Sequence, residues 1–496
     1  MFFVDKIVFM VKTRIAPSPT GDFHIGQMRT VLYDYAYAKK MGGVFLLRIE
    51  DTDRIRYVPG AEDRIMDTIM DFGLPWDEGV RVGGEHGPYT QSQRLDIYKK
   101  YALELVEKGF AYYCFCSKER IDALRKVQQD AHLPTTKYDK HCLTLSEEQI
   151  KKNLAEGMPY VIRLNVPKDQ VIKFRDEILG DLEFPSNDLD DQVLLKSDGF
   201  PTYHLAVVVD DYLMKVTHIL RGVDWLPSTP KHVLLYKAFG WDLPIFAHLP
   251  NLKEVDERKK MSKRHGSAFA YEFLKEGYLP EALVNFLMFL GWNPGGDKEI
   301  YSLAEFTAEF SLERVQKTDL VSFDRDKLLW MNGHYIRQLS DADLYDKISA
   351  WAKKWYVDLC VGNSDRDYII KVLSLIKDRM KVLADFTELS RYFFAIPKVD
   401  IPMLSSYARD NWLKILSGFS KIFAGVDIKD WNKETLEKIA HNFIEEEKYI
   451  NKEAFMTLRV AVTGSQATPP LFDVLELLGK DIVMDRINIL VARNSI

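Results

Sequence analysis

The sequence comprises 496 residues with a formal net charge of −6; 47% of them are hydrophobic and 28% are charged. This composition is ordinary for a globular protein of several domains, and the acidic balance gives no overall signal for nucleic-acid binding, so a bound RNA would need local basic patches. Four cysteines argue against a disulfide framework, and no apolar run reaches the roughly 18 residues of a membrane span.

The amino-terminal segment 1–10 is apolar but short, and it carries Asp5 and Lys6. It lacks a basic start and a small-residue cleavage site, so a secretory signal peptide is not predicted. A cytoplasmic location is therefore expected.

The first predicted unit is a strand, a turn and a helix. Residues 13–16 are β-prone, and two prolines then stop any regular element. Apolar residues recur at helical spacing from Met28 to Ala38, and the pattern ends at a pair of glycines. His24 and Gly26 stand at the start of this helix, where free N–H groups favour an anion and a glycine lets a nucleotide approach the backbone closely.

Strand and helix patterns continue to alternate after this unit. Residues 44–49 read as a buried strand and 60–72 as an amphipathic helix, which predicts a parallel α/β sheet with its ligand crevice at the carboxyl ends of the strands. The same pattern returns at 193–222, so the residues between are expected to form an insertion. Helical patterns inside the insertion span 94–108 and 117–129.

The insertion also contains a capping signal and three of the four cysteines. Ser146 and Gln149 fit a capping box that opens another helix. Cys114 and Cys116 could share a metal ion through a turn, and Cys142 with one further donor would complete a tetrahedron. His141 is chemically a good donor, although it adjoins Cys142. The alternative is three buried thiols that bind no metal.

A short cationic segment, KMSKR at 260–264, packs three cations and a hydroxyl into five residues. Such a loop can hold a polyphosphate where charge develops in a transition state. The alternative is a solvated run of charges, because the preceding residues are charged as well.

Beyond residue 263 the pattern is mostly helical. An apolar stripe runs from Leu283 to Leu290, and 293–298 reads as a surface loop. Residues 341–496 show helical periods only, without hairpin signals or repeats, and Cys360 is expected in their core.

Two of these segments resemble the signature motifs of class I aminoacyl-tRNA synthetases, namely His24-Ile25-Gly26 and KMSKR. The surrounding segments 14–22, 48–53 and 201–204 resemble the glutamyl-tRNA synthetase family, and the similarity extends over nearly the whole chain. The family pattern begins near Met10, so 1–9 are either an extension or precede the true start.

The resemblance implies an α/β fold class: a Rossmann-like parallel-sheet catalytic domain with an inserted α+β acceptor-binding domain, followed by all-helical anticodon-binding domains. The implied division is 10–95 and 193–262 for the catalytic domain, 96–192 for the inserted connective domain, 263–340 for a stem-contact domain and 341–496 for the anticodon-binding region. The helical ending resembles the bacterial type of glutamyl enzyme.

The resemblance also implies the nucleotide site. His24 would stabilise the α-phosphate of ATP and Lys263 would hold the departing pyrophosphate, although His24 alone could merely cap a helix. The class motif has a histidine where this chain has Gln27, so no acid–base role is assigned there. ATP, as its Mg²⁺ complex, is implied to contact Pro17, Thr20, Gly21, His24, Gly26, Lys260, Met261, Ser262, Lys263 and Arg264.

For a dicarboxylate substrate, arginine is suited because its fork pairs with a carboxylate in two bonds. Glu50 would take the α-amino group; the alternative is a solvated acid paired with Arg48 or Arg54. Val207 stands where some relatives carry Asn, so no polar contact is implied there. The implied glutamate pocket contains Arg14, Ala16, Ser18, Glu50, Tyr203 and Arg221.

The cysteine pattern resembles the zinc site of some glutamyl synthetases, in which a tyrosine can be the fourth ligand. This implies Zn²⁺ held by Cys114, Cys116, Tyr138 and Cys142, with His141 as the other candidate for the fourth position. Arg379 and Arg459 are the implied contacts to the tRNA anticodon.

The implied function is that of a glutamate–tRNA ligase, a monomer that activates L-glutamate with ATP and transfers it to the 3′ end of tRNA(Glu), releasing AMP and diphosphate. A truncated relative that modifies a tRNA base would end before residue 341. A glutaminyl enzyme is disfavoured because a neutral amide would leave Arg221 unpaired, and a non-catalytic tRNA-binding paralogue usually loses the phosphate motifs. Whether tRNA(Gln) is also charged stays open.

Overall fold

The structure is a computed structural model that describes residues 10–133, 135–255, 257, 261 and 268–494. It divides into two compact units. Unit 1 consists of the described parts of Met1–Glu272 with Leu283–Asp324, and unit 2 of Phe273–Ala282 with the described part of Arg325–Ile496. In the described part of the chain, no helix is long and apolar enough to cross a membrane.

The strands of the structure all lie in unit 1. They are β1 (Lys12–Ile15), β2 (Val44–Leu47), β3 (Glu78–Gly79), β4 (Ala111–Cys114), β5 (Val161–Leu164), β6 (Val171–Asp176), β7 (Gly180–Pro185), β8 (Val193–Leu195), β9 (His218–Gly222), β10 (Ile245–Leu249), β11 (Asn251–Glu254) and β12 (Leu320–Phe323).

The helices that begin before residue 325 are α1 (Ile25–Lys40), α2 (Ala61–Asp71), α3 (Leu95–Glu107), α4 (Lys118–Asp130), α5 (Glu147–Ala155), α6 (Tyr203–Leu213), α7 (Thr229–Phe239), α8 (Ala270–Lys275), α9 (Pro280–Met288) and α10 (Leu303–Glu309). The remainder are α11 (Arg325–Gln338), α12 (Asp341–Trp355), α13 (Arg366–Ile376), α14 (Asp385–Phe394), α15 (Ile401–Ala408), α16 (Trp412–Ala424), α17 (Lys433–Glu446), α18 (Asn451–Thr463), α19 (Leu471–Leu478) and α20 (Lys480–Asn494).

The main sheet of unit 1 is parallel except at one edge. β2 pairs in parallel with β1 and β3, and β10 pairs in parallel with β9 and β6, while β7 runs antiparallel to β6. The Thr217 N–H donates to the Lys12 carbonyl at 2.9 Å, which sets β9 beside β1. The chain leaves β1 toward β2 on one side, and β9 lies on the other. This reversal opens a crevice at the carboxyl ends of β1 and β9, and the predicted α/β sheet is confirmed.

The predicted insertion forms a second, antiparallel sheet in the order β4-β5-β8, with α3, α6 and α7 contributing to its hydrophobic core. Ser146 and Gln149 form the predicted capping box at the start of α5. Two pairings cross the 192/193 boundary of the sequence-based division, because β8 pairs with β5 and β6 pairs with β10. The four-domain division stays a prediction.

Unit 2 is helical throughout its described residues and has its own core. In α16 the residues Ile415, Leu416, Phe419 and Phe423 are buried at the spacing of one helix face. The helical prediction for 341–496 is thus confirmed. The prediction for Cys360 was wrong: its side chain is exposed, because the Asp358 carboxylate accepts the Cys360 N–H at 2.8 Å in a turn that points away from the core.

Candidate active site

A cavity of about 710 Å³ occupies the crevice at the carboxyl ends of β1 and β9. The structure brings together all six residues of the predicted glutamate pocket in its lining, and Pro17, Thr20 and Gln27 line it as well. Gly21, His24 and Gly26 are not among the lining residues. The residues predicted to bind glutamate therefore share one cavity, and their roles stay predictions.

Arg14, in β1, is buried and shares a carboxylate with a second arginine. Its Nε and Nη2 each lie 3.4 Å from an oxygen of Asp211. Arg48 Nη1 donates to the same Asp211 at 2.8 Å. The two arginines lower the pKa of this buried carboxyl below its usual range, although burial itself opposes ionisation. The charge of Arg14 is therefore balanced within the protein.

Glu50 lies just beyond the end of β2 and is buried. The alternative prediction, a solvent-exposed acid, was therefore wrong about its exposure. Its predicted partner Arg48 is correct, because Arg48 Nη2 donates to Glu50 Oε1 at 2.9 Å. Burial raises the pKa of Glu50, and the Arg48 guanidinium opposes that rise.

Arg221, in β9, is equally buried but has a different set of partners. Its Nε donates to His248 Nε2 at 3.1 Å, and its Nη2 donates to the Thr229 hydroxyl at 2.7 Å. Its Nη1 donates to the Tyr203 hydroxyl at 3.0 Å and lies 3.4 Å from His232 Nδ1. Within the described ranges, no carboxylate forms an ion pair with Arg221.

The acceptors around Arg221 are uncharged. Burial raises the pKa of the Tyr203 phenol. Burial also lowers the pKa values of His248 and His232 below their ordinary value, so both imidazoles are neutral at physiological pH. Among the residues that the structure describes, no carboxylate pairs directly with this buried positive charge, which favours an anionic ligand group.

His24 is the N-cap residue of α1. Its Nδ1 accepts the Gly26 N–H at 3.0 Å, and the Gln27 side-chain oxygen accepts the His24 N–H at 3.0 Å. In the neutral ring the proton must then be on Nε2, which makes Nε2 a hydrogen-bond donor. Gln27, which was given no acid–base role, instead fixes the position of His24.

The chain segments on both sides of the KMSKR motif contact the start of α1. A Cβ built on Gly26 would lie 3.6 Å from Leu252 of β11, which precedes the motif. After the motif, the Ala268 carbonyl accepts the Ile25 N–H at 2.8 Å. Met261 is buried and donates its N–H to Leu252. Lys260, Ser262, Lys263 and Arg264 lie outside the described residues, so their predicted contacts stay predictions.

The three cysteines of the insertion converge. The Sγ atoms of Cys114, Cys116 and Cys142 lie within 4.8 Å of one another. The Tyr138 hydroxyl is 3.4 Å from Cys114 Sγ and 3.2 Å from Cys116 Sγ. His141, the other predicted donor, has an exposed side chain and does not belong to the cluster.

A cation adjoins this cysteine cluster. The Arg163 guanidinium lies over the Tyr138 ring, 4.1 Å from its centroid, and donates to the Asp191 carbonyl. A positive charge at this place would balance the negative charge of several thiolates around a divalent ion.

In unit 2, Arg379 and Arg459 are close enough for each to feel the charge of the other. Arg379 is exposed, while Arg459 is half-buried and its Nη1 donates to the carbonyls of Thr468 and Pro469. Burial lowers the pKa of Arg459, and Arg379 adds to that effect.

Of the residues around Arg221, sequence reasoning found Tyr203 but missed Thr229, His232 and His248. A signal for them exists: β9 and β10 are apolar strands that each carry one polar residue near the carboxyl end, and their register sets Arg221 opposite His248. Asp176 ends β6 next to them. Polar side chains at the carboxyl ends of three neighbouring strands indicate a site.

Comparison with known proteins extends these observations. Residues 10–330 match the family model described as tRNA synthetases class I (E and Q), catalytic domain, and residues 343–491 match the model described as anticodon binding domain. The chain is 43% identical over 489 residues to the glutamate–tRNA ligase of Clostridioides difficile strain 630, covering 96% of this chain and 98% of that protein. It is 44% identical over 485 residues to the glutamate–tRNA ligase of Clostridium botulinum strain Okra, covering 97% of each.

Solved structures give the same result. The fold is similar to the crystal structure of a glutamate tRNA ligase from Elizabethkingia meningosepticum in complex with its amino acid, with a TM-score of 0.87, 34% identity, and coverage of 97% of this chain and 99% of that chain. A glutamate-tRNA synthetase from Elizabethkingia anophelis is similar with a TM-score of 0.85 and 35% identity, over 97% of this chain and 99% of that chain.

Proposed function

The chain belongs to the class I aminoacyl-tRNA synthetases as a bacterial-type glutamate–tRNA ligase, and from this membership we propose how its residues carry out the reaction. L-glutamate is activated with ATP to glutamyl-adenylate, and the glutamyl group is then transferred to the 3′ end of tRNA(Glu), with release of diphosphate and AMP. The observation that carries the assignment of roles is Arg221, a buried cation in the cavity whose partners in the described chain are all neutral.

Arg221 pairs with the side-chain carboxylate of glutamate. A substrate carboxylate would balance its charge, whereas the neutral amide of glutamine would leave the cation buried without a counter-ion. Arg14 is the weaker candidate because Asp211 already balances it. Tyr203 lines the same cavity and would contact the substrate beside Arg221.

Glu50 receives the α-amino group of the substrate. One of its oxygens pairs with Arg48, which holds the carboxylate in a fixed orientation beyond the carboxyl end of β2. Ala16 and Ser18 follow β1 and line the same part of the cavity, where small side chains leave room for the amino acid.

The nucleotide lies at the start of α1. The neutral His24 ring carries its proton on Nε2, which would donate to the α-phosphate, and the N-terminus of α1 adds positive potential. The described residues Leu252, before the KMSKR segment, and Ala268, after it, adjoin this helix start, which supports the assignment of Lys263 to the departing diphosphate. Lys260 and Arg264 would assist.

The chemistry then needs little covalent help from the protein. An oxygen of the α-carboxylate attacks the α-phosphorus, the bond to the β-phosphate oxygen breaks, and diphosphate leaves. A terminal hydroxyl of the tRNA next attacks the carbonyl carbon of the adenylate and AMP leaves. Positioning and electrostatic stabilisation of the phosphates supply the rate enhancement. Mg²⁺ accompanies ATP and would offset part of its charge.

Zinc is proposed for the insertion because the donor set fits. Three thiols lie within 4.8 Å of one another and are donors that Zn²⁺ prefers, and the Tyr138 hydroxyl beside two of them would complete the four ligands of a tetrahedral site. Cys114, Cys116, Cys142 and Tyr138 would hold the ion, and its role would be to cross-link the turn after β4 to the segment around residue 140. The exposure of His141 supports Tyr138 as the fourth ligand.

Arg379 and Arg459 are proposed to contact the anticodon. They lie in or near the region that matches an anticodon binding domain, and they form a cationic pair there. Two neighbouring arginines would attract a phosphate or the edge of a base.

The role of Arg221 is tested with the variants Arg221→Leu and Arg221→Lys. ATP–diphosphate exchange is measured in the presence of tRNA, once with glutamate and once with glutamine as the amino acid. Sites of this kind can prefer one substrate over another by about 10⁴-fold. Arg221→Leu should remove most of the preference for glutamate over glutamine, while the KM for ATP stays nearly unchanged. Arg221→Lys keeps the charge and should keep the direction of the preference. An unchanged preference in Arg221→Leu would transfer the role to another residue, with Arg14 the first to test.

A further inference from the structure

Arg221 is held in place by a hydrogen-bonded chain that begins at a buried carboxylate. Asp176 Oδ2 lies 2.6 Å from His248 Nδ1 and 3.2 Å from the His248 backbone nitrogen. The other oxygen, Oδ1, accepts the N–H groups of Ile178 and Leu179 at 3.0 and 2.9 Å. The Asp176 and His248 side chains are both fully buried. The carboxylate is therefore fixed by its own strand end and by β10.

This arrangement determines the tautomer of His248. The proton on Nδ1 is donated to Asp176, so Nε2 keeps its lone pair. That lone pair faces Arg221 Nε at 3.1 Å and the Thr229 hydroxyl at 3.1 Å. The opposite tautomer would direct an N–H at the N–H of Arg221, and the guanidinium would have to turn away.

The imidazole also keeps the carboxylate away from the cation. Arg14 and Arg48 contact carboxylate oxygens directly, at 3.4 and 2.8 Å. Arg221 reaches Asp176 only through the ring of His248, so its orientation is fixed but its charge is not balanced by a direct ion pair. Carboxylate contact would satisfy Arg221 before a substrate arrived and would reduce the advantage of a charged ligand over a neutral one.

We propose that His248, oriented by Asp176, is a positioning residue that aims Arg221 into the cavity and withholds a counter-charge from it, so that this pair sets the preference for a carboxylate side chain over an amide. The proposal rests on the proposed role of Arg221 and adds two residues that do not themselves line the cavity.

The first test measures the tautomer in the wild-type chain, and a variant serves only to assign the signals. Nitrogen-15 NMR of the histidine-labelled protein, with the His248 signals assigned by loss in His248→Gln, reports the tautomer directly. We expect a neutral ring protonated on Nδ1. A ring protonated on Nε2, or an imidazolium, would overturn the proposal.

The second test uses a matched pair that differs only in charge. Asp176→Asn combined with His248→Gln keeps a neutral acceptor near Arg221 Nε. Asp176→Asn combined with His248→Glu offers a carboxylate of the same size at the same place. The assay is ATP–diphosphate exchange with tRNA, and the readout is the ratio of kcat/KM for glutamate to kcat/KM for glutamine.

The Gln variant should retain a preference within about tenfold of the wild type, and the Glu variant should lose roughly 10²-fold of it, the scale of one charge-assisted contact. The loss should be in the KM for glutamate, with the KM for ATP unchanged. The control is His218→Gln, a substitution at a buried histidine of β9 that does not line the cavity, and it should leave the ratio unchanged.

Equal ratios in the two folded double variants would overturn the proposal, and so would a ratio in the Glu variant equal to that of the wild type. Failure of the proposed function looks different. In that case Arg221→Leu would keep the wild-type preference for glutamate. If only the present proposal fails, Arg221→Leu loses that preference, and the two double variants at Asp176 and His248 have equal ratios. If the double variants do not fold, the NMR result on the wild type decides.

Discussion

Gly26→Ala should separate catalysis from stability, because the substitution affects a helix start in two opposite ways. Gly26 is the second residue of α1 and does not have a positive φ, so alanine is compatible with its backbone. Replacing a helical glycine by alanine in a compatible conformation raises the free energy of unfolding by about 0.4–1 kcal/mol, since the unfolded chain loses freedom.

The added methyl group would meet two neighbours. It would lie 3.6 Å from Leu252 Cδ1, an ordinary van der Waals distance, and 3.3 Å from His24 Nδ1, which is tighter. The imidazole would therefore move by a few tenths of an ångström. A misplacement of about 1 Å can reduce catalysis by about 10²-fold. A shift of this smaller size should lower kcat by roughly threefold to tenfold.

The measurements are the thermal unfolding midpoint and ATP–diphosphate exchange at saturating glutamate and tRNA. We expect an unchanged or raised midpoint together with the lower kcat. Gln27→Ala removes the other anchor of His24 and should also lower kcat, but at a cost of roughly 1 kcal/mol in stability from the lost capping bond. Wild-type kcat in both variants would refute a catalytic dependence on the position of His24, and a large drop in the midpoint of Gly26→Ala would refute the steric reasoning.

Three further outcomes follow from other parts of the structure. Gly418→Ala should lower the unfolding free energy of unit 2 by about 1–3 kcal/mol, because the new Cβ would lie 2.1 Å from a phenylalanine ring of α17; Gly425→Ala, with nothing nearer than 3.5 Å, is the control in chemical denaturation. Purified protein should contain about one zinc ion per chain by elemental analysis, Cys116→Ser should lose it and His141→Ala should keep it, and the reverse for His141 would contradict Tyr138 as the fourth ligand. Burial lowers the pKa of His218 from 6.5 to about 4, so the unfolded chain takes up the proton first and stability falls as the pH decreases through that interval; His218→Gln should remove up to roughly 3 kcal/mol of this loss in acid titrations followed by circular dichroism, and an unchanged titration would count against it.

The parts of the fold that could be predicted from the sequence are those whose signals are local. β1 and α1 follow from apolar spacing and from the prolines and glycines that bound them, and the capping box at Ser146 is complete within four residues. The residues assigned to glutamate could be expected in one cavity because they stand at strand ends and because the family motifs mark them. Membership in that family is confirmed, while the individual residue roles stay predictions.

The parts that could not be predicted depend on contacts between distant segments. β12 pairs with β11 across about 65 intervening residues, so no hairpin turn in the sequence indicates this pairing. The hydrogen bonds from Asp176 through His248 to Arg221 join three strands, and no local sequence pattern predicts which strands become neighbours. Cys360 was misjudged because a thiol is usually buried, whereas the aspartate two residues earlier sets a turn.

The place of β1 in the sheet also affects how the chain folds during synthesis. One edge of β1 can pair with β2 early, but the other edge waits for β9, which begins about 200 residues later. At the usual speed of translation that interval lasts roughly 10–40 s. During this time β1, which is buried in the folded protein, exposes unpaired backbone N–H and C=O groups. Such groups can pair with the wrong strand. Rare codons or a ribosomal pause between β2 and β9 would lengthen this exposure, so misassembly on the ribosome should be more sensitive to synthesis speed there than anywhere after residue 249.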